Sequence, residues 1–179
     1  GALLWSQTYG GSGLENAYGL AALSDGGFAL VGSTKSTDLP GGAKSAGGND
    51  SWLVRTDASG ALLWSQTYGG SGDEGATGLA ALADGGFALA GGTAAGGGDL
   101  WLLRTDAAGG LLWSQTYGGS GSDGADGLAV LSDGGFALVG RTKSTDLPGG
   151  GKTAGGYDFL LVRTDPWGNA SCAASGACF

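Results

Sequence analysis

The 179-residue chain carries 16 Asp and Glu against 8 Lys and Arg and no His, for a formal charge of −8 and a pI near 4.1; such a surface repels a phosphate backbone and argues against nucleic acid as a partner. Its 42 Gly and 13% charged residues exclude a mainly helical protein, since Gly costs about 1 kcal/mol per helix position relative to Ala. Six Trp, five Tyr and five Phe at recurring places exclude a flexible Gly-rich linker, which lacks such apolar payload.

In chain order, the first element is Leu3-Leu4-Trp5-Ser6-Gln7-Thr8-Tyr9, closed by Gly10-Gly11-Ser12-Gly13. Alternation of its side chains predicts a pleated strand. The same eleven letters return as residues 62–72 and 111–121, so the chain is three copies of one unit, each too small to bury its apolar face alone. A second strand near Ala17–Leu23 meets a third, Phe28–Thr34, through Ser24-Asp25-Gly26-Gly27. Asp-Gly between apolar runs predicts a hairpin with a primed turn, and Asp84-Gly85 and Asp133-Gly134 repeat it. The fourth strand is Ser51–Thr56, with copies at Leu100–Thr105 and Phe159–Thr164. Asp57-Ala58-Ser59-Gly60 then reverses the chain into the next Leu-Leu-Trp, so strand four of one unit should pair with strand one of the next.

The units are expected to span residues 1–60, 61–109 and 110–165, followed by a tail at 166–179. The copies of Leu3 are spaced 59 and then 49 residues apart, and the difference lies in one loop. Lys35-Ser-Thr-Asp-Leu-Pro-Gly-Gly-Ala-Lys44 and Lys143-Ser-Thr-Asp-Leu-Pro-Gly-Gly-Gly-Lys152 are nearly identical, and the middle unit lacks them. Length added without disturbing strands belongs on a surface, where binding usually resides. After Asp165 the expected Leu-Leu-Trp gives way to Pro166-Trp167-Gly168-Asn169-Ala170-Ser171-Cys172. No proper first strand is therefore expected there, leaving two complementary sheet edges, one at each end.

Trp-x-x-Thr-Tyr-Gly-Gly-Ser-Gly, Asp-Gly-Gly-Phe-Ala-Leu-Val-Gly-x-Thr and Asp-x-Trp-Leu-Val-Arg-Thr-Asp together resemble a β-propeller-type repeat found in tandem in large secreted bacterial and archaeal proteins. The resemblance covers residues 1–165. It implies an all-β fold with one four-stranded antiparallel blade per repeat, and an extracellular, non-enzymatic role without catalytic residues. Three blades cannot close a propeller ring of the usual four to eight. Either copies assemble, as a closed ring or an open filament or tube, or threefold repetition is complete in itself, as in a β-prism or β-trefoil.

The chemistry of the candidate residues is consistent with a non-catalytic role. Ser and Thr have no His to activate them, and the only lysines lie in the two long loops. No cofactor or metal is expected: Glu15, Glu74 and Asp123 follow the Gly-Gly-Ser-Gly turns singly, as turn caps or ion-pair partners rather than calcium ligands. Arg55, Arg104 and Arg163 with Asp57, Asp106 and Asp165 suggest a lateral ladder between units. Trp5, Trp64 and Trp113 are expected between sheets, and unrepeated Trp167 as an exposed contact. Lys35, Lys44, Lys143 and Lys152 are candidates for docking on an acidic neighbouring copy. Cys172 and Cys178 are expected to form a local disulfide, which belongs to an oxidising compartment. Asn169-Ala170-Ser171 is a candidate glycosylation sequon. No apolar run approaches the ~20 residues of a membrane helix. The absence of an initiator Met leads us to expect a removed export signal and a secreted or cell-surface location. The function expected is a structural protein that assembles with itself through its terminal edges, with Leu3, Leu4, Trp5, the four lysines and Trp167 as contacts. The alternative is a glycan-binding, lectin-like module.

Overall fold

The computed structural model describes residues 1–42, 47–94, 97–147 and 155–170, and among them there is no α-helix. Eleven strands run β1 (Glu15–Ala22), β2 (Phe28–Thr34), β3 (Asp50–Thr56), β4 (Leu62–Tyr68), β5 (Glu74–Ala81), β6 (Phe87–Thr93), β7 (Asp99–Thr105), β8 (Leu111–Tyr117), β9 (Asp123–Val130), β10 (Phe136–Thr142) and β11 (Asp158–Thr164). They form three antiparallel sheets, β1-β2-β3-β4, β5-β6-β7-β8 and β9-β10-β11. Sheets 1 and 2 thus have the expected four strands, and sheet 3 has three among the described residues.

Both kinds of turn follow from local chemistry. In the Asp-Gly-Gly hairpins, Gly26 N–H donates to the Leu23 carbonyl and Leu23 N–H to the Gly27 carbonyl, while Asp25 accepts from Gly27 N–H at 3.0 Å. The turn is not the primed one that the Asp-Gly pair predicts. A primed turn of that kind needs positive φ at both centres, and here only Gly26 has it, at φ 84°, with no non-Gly residue in that region. In the connecting turns one Asp57 oxygen accepts from Ser59 N–H and Ala61 N–H. Asp106 and Asp165 repeat that arrangement.

Those connecting turns carry each chain segment into the sheet of the preceding unit. β4, the first strand of unit two, is therefore the edge strand of sheet 1, paired with β3 from Ser51 opposite Tyr68 to Arg55 opposite Trp64, with a bulge before Thr56. β8 closes sheet 2 on β7 in the same register. Leu3–Tyr9, expected as a strand, forms none. Its copies ladder with the fourth strand before them, a partner this segment does not have among the described residues.

The sheets stack face to face. Ala29, Val31 and Leu53 of sheet 1 pack on Phe87, Leu89 and Leu103 of sheet 2. On the opposite face of sheet 2, Ala88, Ala90, Leu100 and Leu102 pack on Phe136, Leu138 and Val162 of sheet 3. Sheet 2 has a sheet packed on both sides, and each outer sheet has one on a single side. Bulges at the second strands re-aim one side chain per sheet. At Thr77 this lets the hydroxyl donate to the Ala125 carbonyl of sheet 3 at 2.7 Å.

Candidate functional site

The acidic residues after the Gly-Gly-Ser-Gly turns cap those turns. Glu74 accepts from Gly70 N–H at 2.8 Å and from the Thr93 hydroxyl at 3.3 Å, and Asp123 from Gly119 N–H at 2.9 Å and Ser144 Oγ at 2.6 Å. Glu15 does the same for Thr34 and Ser36. In the two long loops a second acid completes the cap: Asp38 accepts from Ser12 N–H and Asp146 from Ser120 N–H. These loops therefore fold back on the turns rather than standing free. Leu39 is buried against Trp52 and Val54, and the Pro40 carbonyl accepts from Ser65 Oγ at 2.6 Å.

The arginines correct another expectation. Arg55, Arg104 and Arg163 pair with the hairpin acids Asp25, Asp84 and Asp133 of their own sheets, not with Asp57, Asp106 or Asp165 of a lateral ladder. The register that sets Phe28 opposite Thr56 places the Asp25 turn beside Arg55. Backbone N–H donation from Gly27, Gly86 and Gly135, and then the arginine, hold these three carboxyls below the ordinary carboxylate range. Their contribution to stability is present above the unfolded carboxylate pKa and lost as pH falls through the folded values. Asp99 is opposite in sign: burial, then Asp123, raises its pKa. It therefore penalises the fold at neutral pH, and the penalty fades on acidification. Asp99→Asn is expected to raise the urea midpoint at pH 7 and to leave it unchanged near pH 3.

A second threefold contact joins each first-strand segment to the connecting turn that closes its own unit. Tyr68 Oη donates to the Gly109 carbonyl at 2.7 Å and Tyr117 Oη to Gly168 at 2.6 Å. Trp64 and Trp113 sit edge-on to Phe87 and Phe136 with ring centroids 5.9 Å apart. The same Trp ring closes over the turn glycine: at Gly109, φ 82°, a Cβ would lie 2.8 Å from Trp64 Cζ3. Burial, with Asp106 nearby, raises the Tyr68 phenol, so the donor stays protonated. Tyr68→Phe leaves the Gly109 carbonyl unpaired and is expected to cost about 1–2 kcal/mol in denaturant unfolding.

Leu3–Tyr9 makes this contact too. Tyr9 Oη donates to the Gly60 carbonyl at 2.5 Å, and Trp5 sits edge-on to Phe28 at 5.9 Å. The segment is thus held over sheet 1 as β4 is held over sheet 2, without a sheet of its own. Trp5 is consequently half-exposed rather than buried between sheets, and Leu3 and Leu4 are exposed. Beneath the segment a cavity of about 280 Å³ opens on the free face of sheet 1, lined by residues that include Tyr9, Leu30, Trp52 and Val54.

The other end of the stack is its counterpart. Leu53 and Leu102 are 0% exposed, whereas the residue equivalent to them in β11, Leu161, is 73% exposed and its neighbour Phe159 98%. The edge of β11 carries only one bridge, Thr164 to Ala170, among the described residues. That bridge follows an Asp165–Asn169 turn of the usual form, so the chain starts toward a fourth strand after all.

Of the other singled-out residues, Lys35 is exposed, and Lys143 Nζ lies 4.5 Å from the Tyr157 ring centroid. Trp167 is exposed. Asn169 is held by Asp165 through both its N–H and its amide Nδ2. Lys44, Lys152, Cys172 and Cys178 lie outside the described residues, as does Ser171 of the sequon. Among the described residues no three His, Cys, Asp or Glu are grouped to hold a metal ion, and no helix is long and apolar enough to cross a membrane. The apolar face of sheet 3 around Val139, Phe159 and Leu161 was not singled out, although Phe159, where the other copies have Ser51 and Leu100, is a visible departure. No protein-family model matches the chain, and no curated protein matches it.

Proposed function

We propose that the chain is a non-catalytic, extracellular structural protein whose blade-like repeats continue from one copy to the next, building an oligomer, filament or tube. The observation that supports this is the pairing of opposites at its two ends. Among the described residues, one end presents the outer edge of β11 with the single bridge from Thr164 to Ala170, beside exposed Phe159 and Leu161. The other presents Leu3–Tyr9, a strand sequence without a ladder. Open strand edges with apolar flanks invite pairing, and proteins that remain monomeric blunt them. Contact between two different ends is heterologous, so it closes into a ring only if the rotation per copy allows and otherwise extends. Among the described residues, the threefold caps and ion pairs are accounted for as turn chemistry rather than as a single constellation of the kind an active site has.

Sedimentation velocity across a concentration series tests this. Species at successive multiples of the 17.2 kDa chain, growing with concentration, are expected. A single species of one chain mass at every concentration would overturn the proposal.

A further inference from the structure

Taking the self-assembly proposed above as its basis, we infer that the contact between copies reproduces the strand register of the internal seam. Thr164 already bridges Ala170, so Phe159–Arg163 of one copy ladder onto Trp5–Tyr9 of the next, and the Val139, Phe159 and Leu161 face of its sheet 3 fills the cavity over the next copy's sheet 1. The partner is a second copy of this chain.

Three observations carry it. First, Leu3–Tyr9 has the same sequence as β4 and β8, and the register of those strands transfers directly. Gln66 stands opposite Leu53 and Gln115 opposite Leu102, which sets Gln7 opposite Leu161. Tyr68 opposite Ser51 and Tyr117 opposite Leu100 set Tyr9 opposite Phe159. Second, the segment is already fixed in the position such a strand takes. Tyr9 to Gly60 and Trp5 on Phe28 match Tyr68 to Gly109 and Trp64 on Phe87, so the neighbour docks beside a preset strand. Third, the faces are the two halves of one interface. In the internal seams Val31 and Leu53 of sheet 1, and Ala90 and Leu102 of sheet 2, pack on the following sheet. Their equivalents Val139 and Leu161 are exposed. What they would cover, Leu30 and Val54, are the equivalents of Leu89 and Leu103, which the internal seam buries; here both line the cavity beside Tyr9, Leu30 half-buried and Val54 already buried under Leu39. Leu39 covers Trp52 and Val54 from the loop side, and the loop residues Ser144 and Asp146 make the same turn contacts in unit three, whose sheet is seated in a seam. The anchored start of the loop is therefore compatible with a seam.

Site-directed disulfide trapping tests the register. In a background with Cys172→Ser and Cys178→Ser, Gln7→Cys and Leu161→Cys are made in separate chains, both at exposed positions, and mixed under mild oxidation. A linked heterodimer from the mixture, and none when Leu4→Cys replaces Gln7→Cys, is expected. Oligomers by sedimentation without the 7–161 link would overturn this register while leaving self-assembly intact. Monomers alone would overturn both. A chain carrying both cysteines that links within one molecule would show that the two ends meet in cis, which also overturns it.

Discussion

Removing residues 1–11 is expected to abolish assembly while leaving a folded chain. None of the three sheets draws a ladder strand from this segment, and what it contributes to its own body includes the Trp5 ring on Phe28, the Tyr9 bond to Gly60 and the packing of Tyr9 on the cluster of Leu39, Trp52 and Val54, contacts that lie outside the sheet ladders. What it contributes to a neighbour is an entire edge strand. Leu161→Asp probes the same contact from the other side. In the isolated chain Leu161 faces water, so the substitution should leave folding intact. In the seam it buries a carboxylate against apolar groups, at a cost on the order of 3 kcal/mol or more, or over about a hundredfold in affinity. Circular dichroism and sedimentation of the two variants check both halves: native sheet signal in each, monomers in each.

Leu102→Ala is expected to be the most damaging single truncation in the body, at about 3–5 kcal/mol. Its side chain is fully buried between sheets 2 and 3, in the cluster that includes Leu100, Leu138 and Val162, where a stacked pair of sheets has little freedom to collapse into the void. The equivalent truncation Leu161→Ala should change the unfolding of the dissociated chain by less than about 0.5 kcal/mol. The pair is informative because the two residues occupy one position of one repeat and differ only in what stands beside them. Urea unfolding at a concentration too low for assembly measures both, and similar losses for the two would mean that sheet 3 is already covered in the single chain.

Much of this is legible in the sequence. Three copies of Leu-Leu-Trp-Ser-Gln-Thr-Tyr and three Asp-Gly-Gly hairpins place the strands. The Asp57–Gly60 turn predicts that strand four joins the next strand one, as β3 and β4 do. Other features were less accessible, each for a physical reason. Asp-Gly is compatible with several turn types, and only the dihedral angles tell that Gly26 alone adopts positive φ. Arg55 recurs two residues before Asp57, yet strand direction sends its side chain to the Asp25 turn, so closeness in sequence misled. Identical letters also conceal unequal surroundings. Trp5 and Trp64 share a sequence context, but a strand ladders with its neighbour, and Leu3–Tyr9 has no such partner among the described residues. The long loops read as free surface insertions, whereas Ser36, Asp38 and Leu39 fold back on the turn and sheet that they follow.

Amide hydrogen exchange along β11 tests the central claim most directly, because a laddered edge strand protects backbone N–H groups that an open edge leaves to water. Compared between dilute and concentrated protein, the amides of residues 159–163 that point away from β10 should exchange rapidly in the first and slow markedly in the second. The Leu3–Tyr9 amides should gain protection in parallel. Rapid exchange at both segments in fully assembled material would contradict the account, since the copies would then be joined through some other surface.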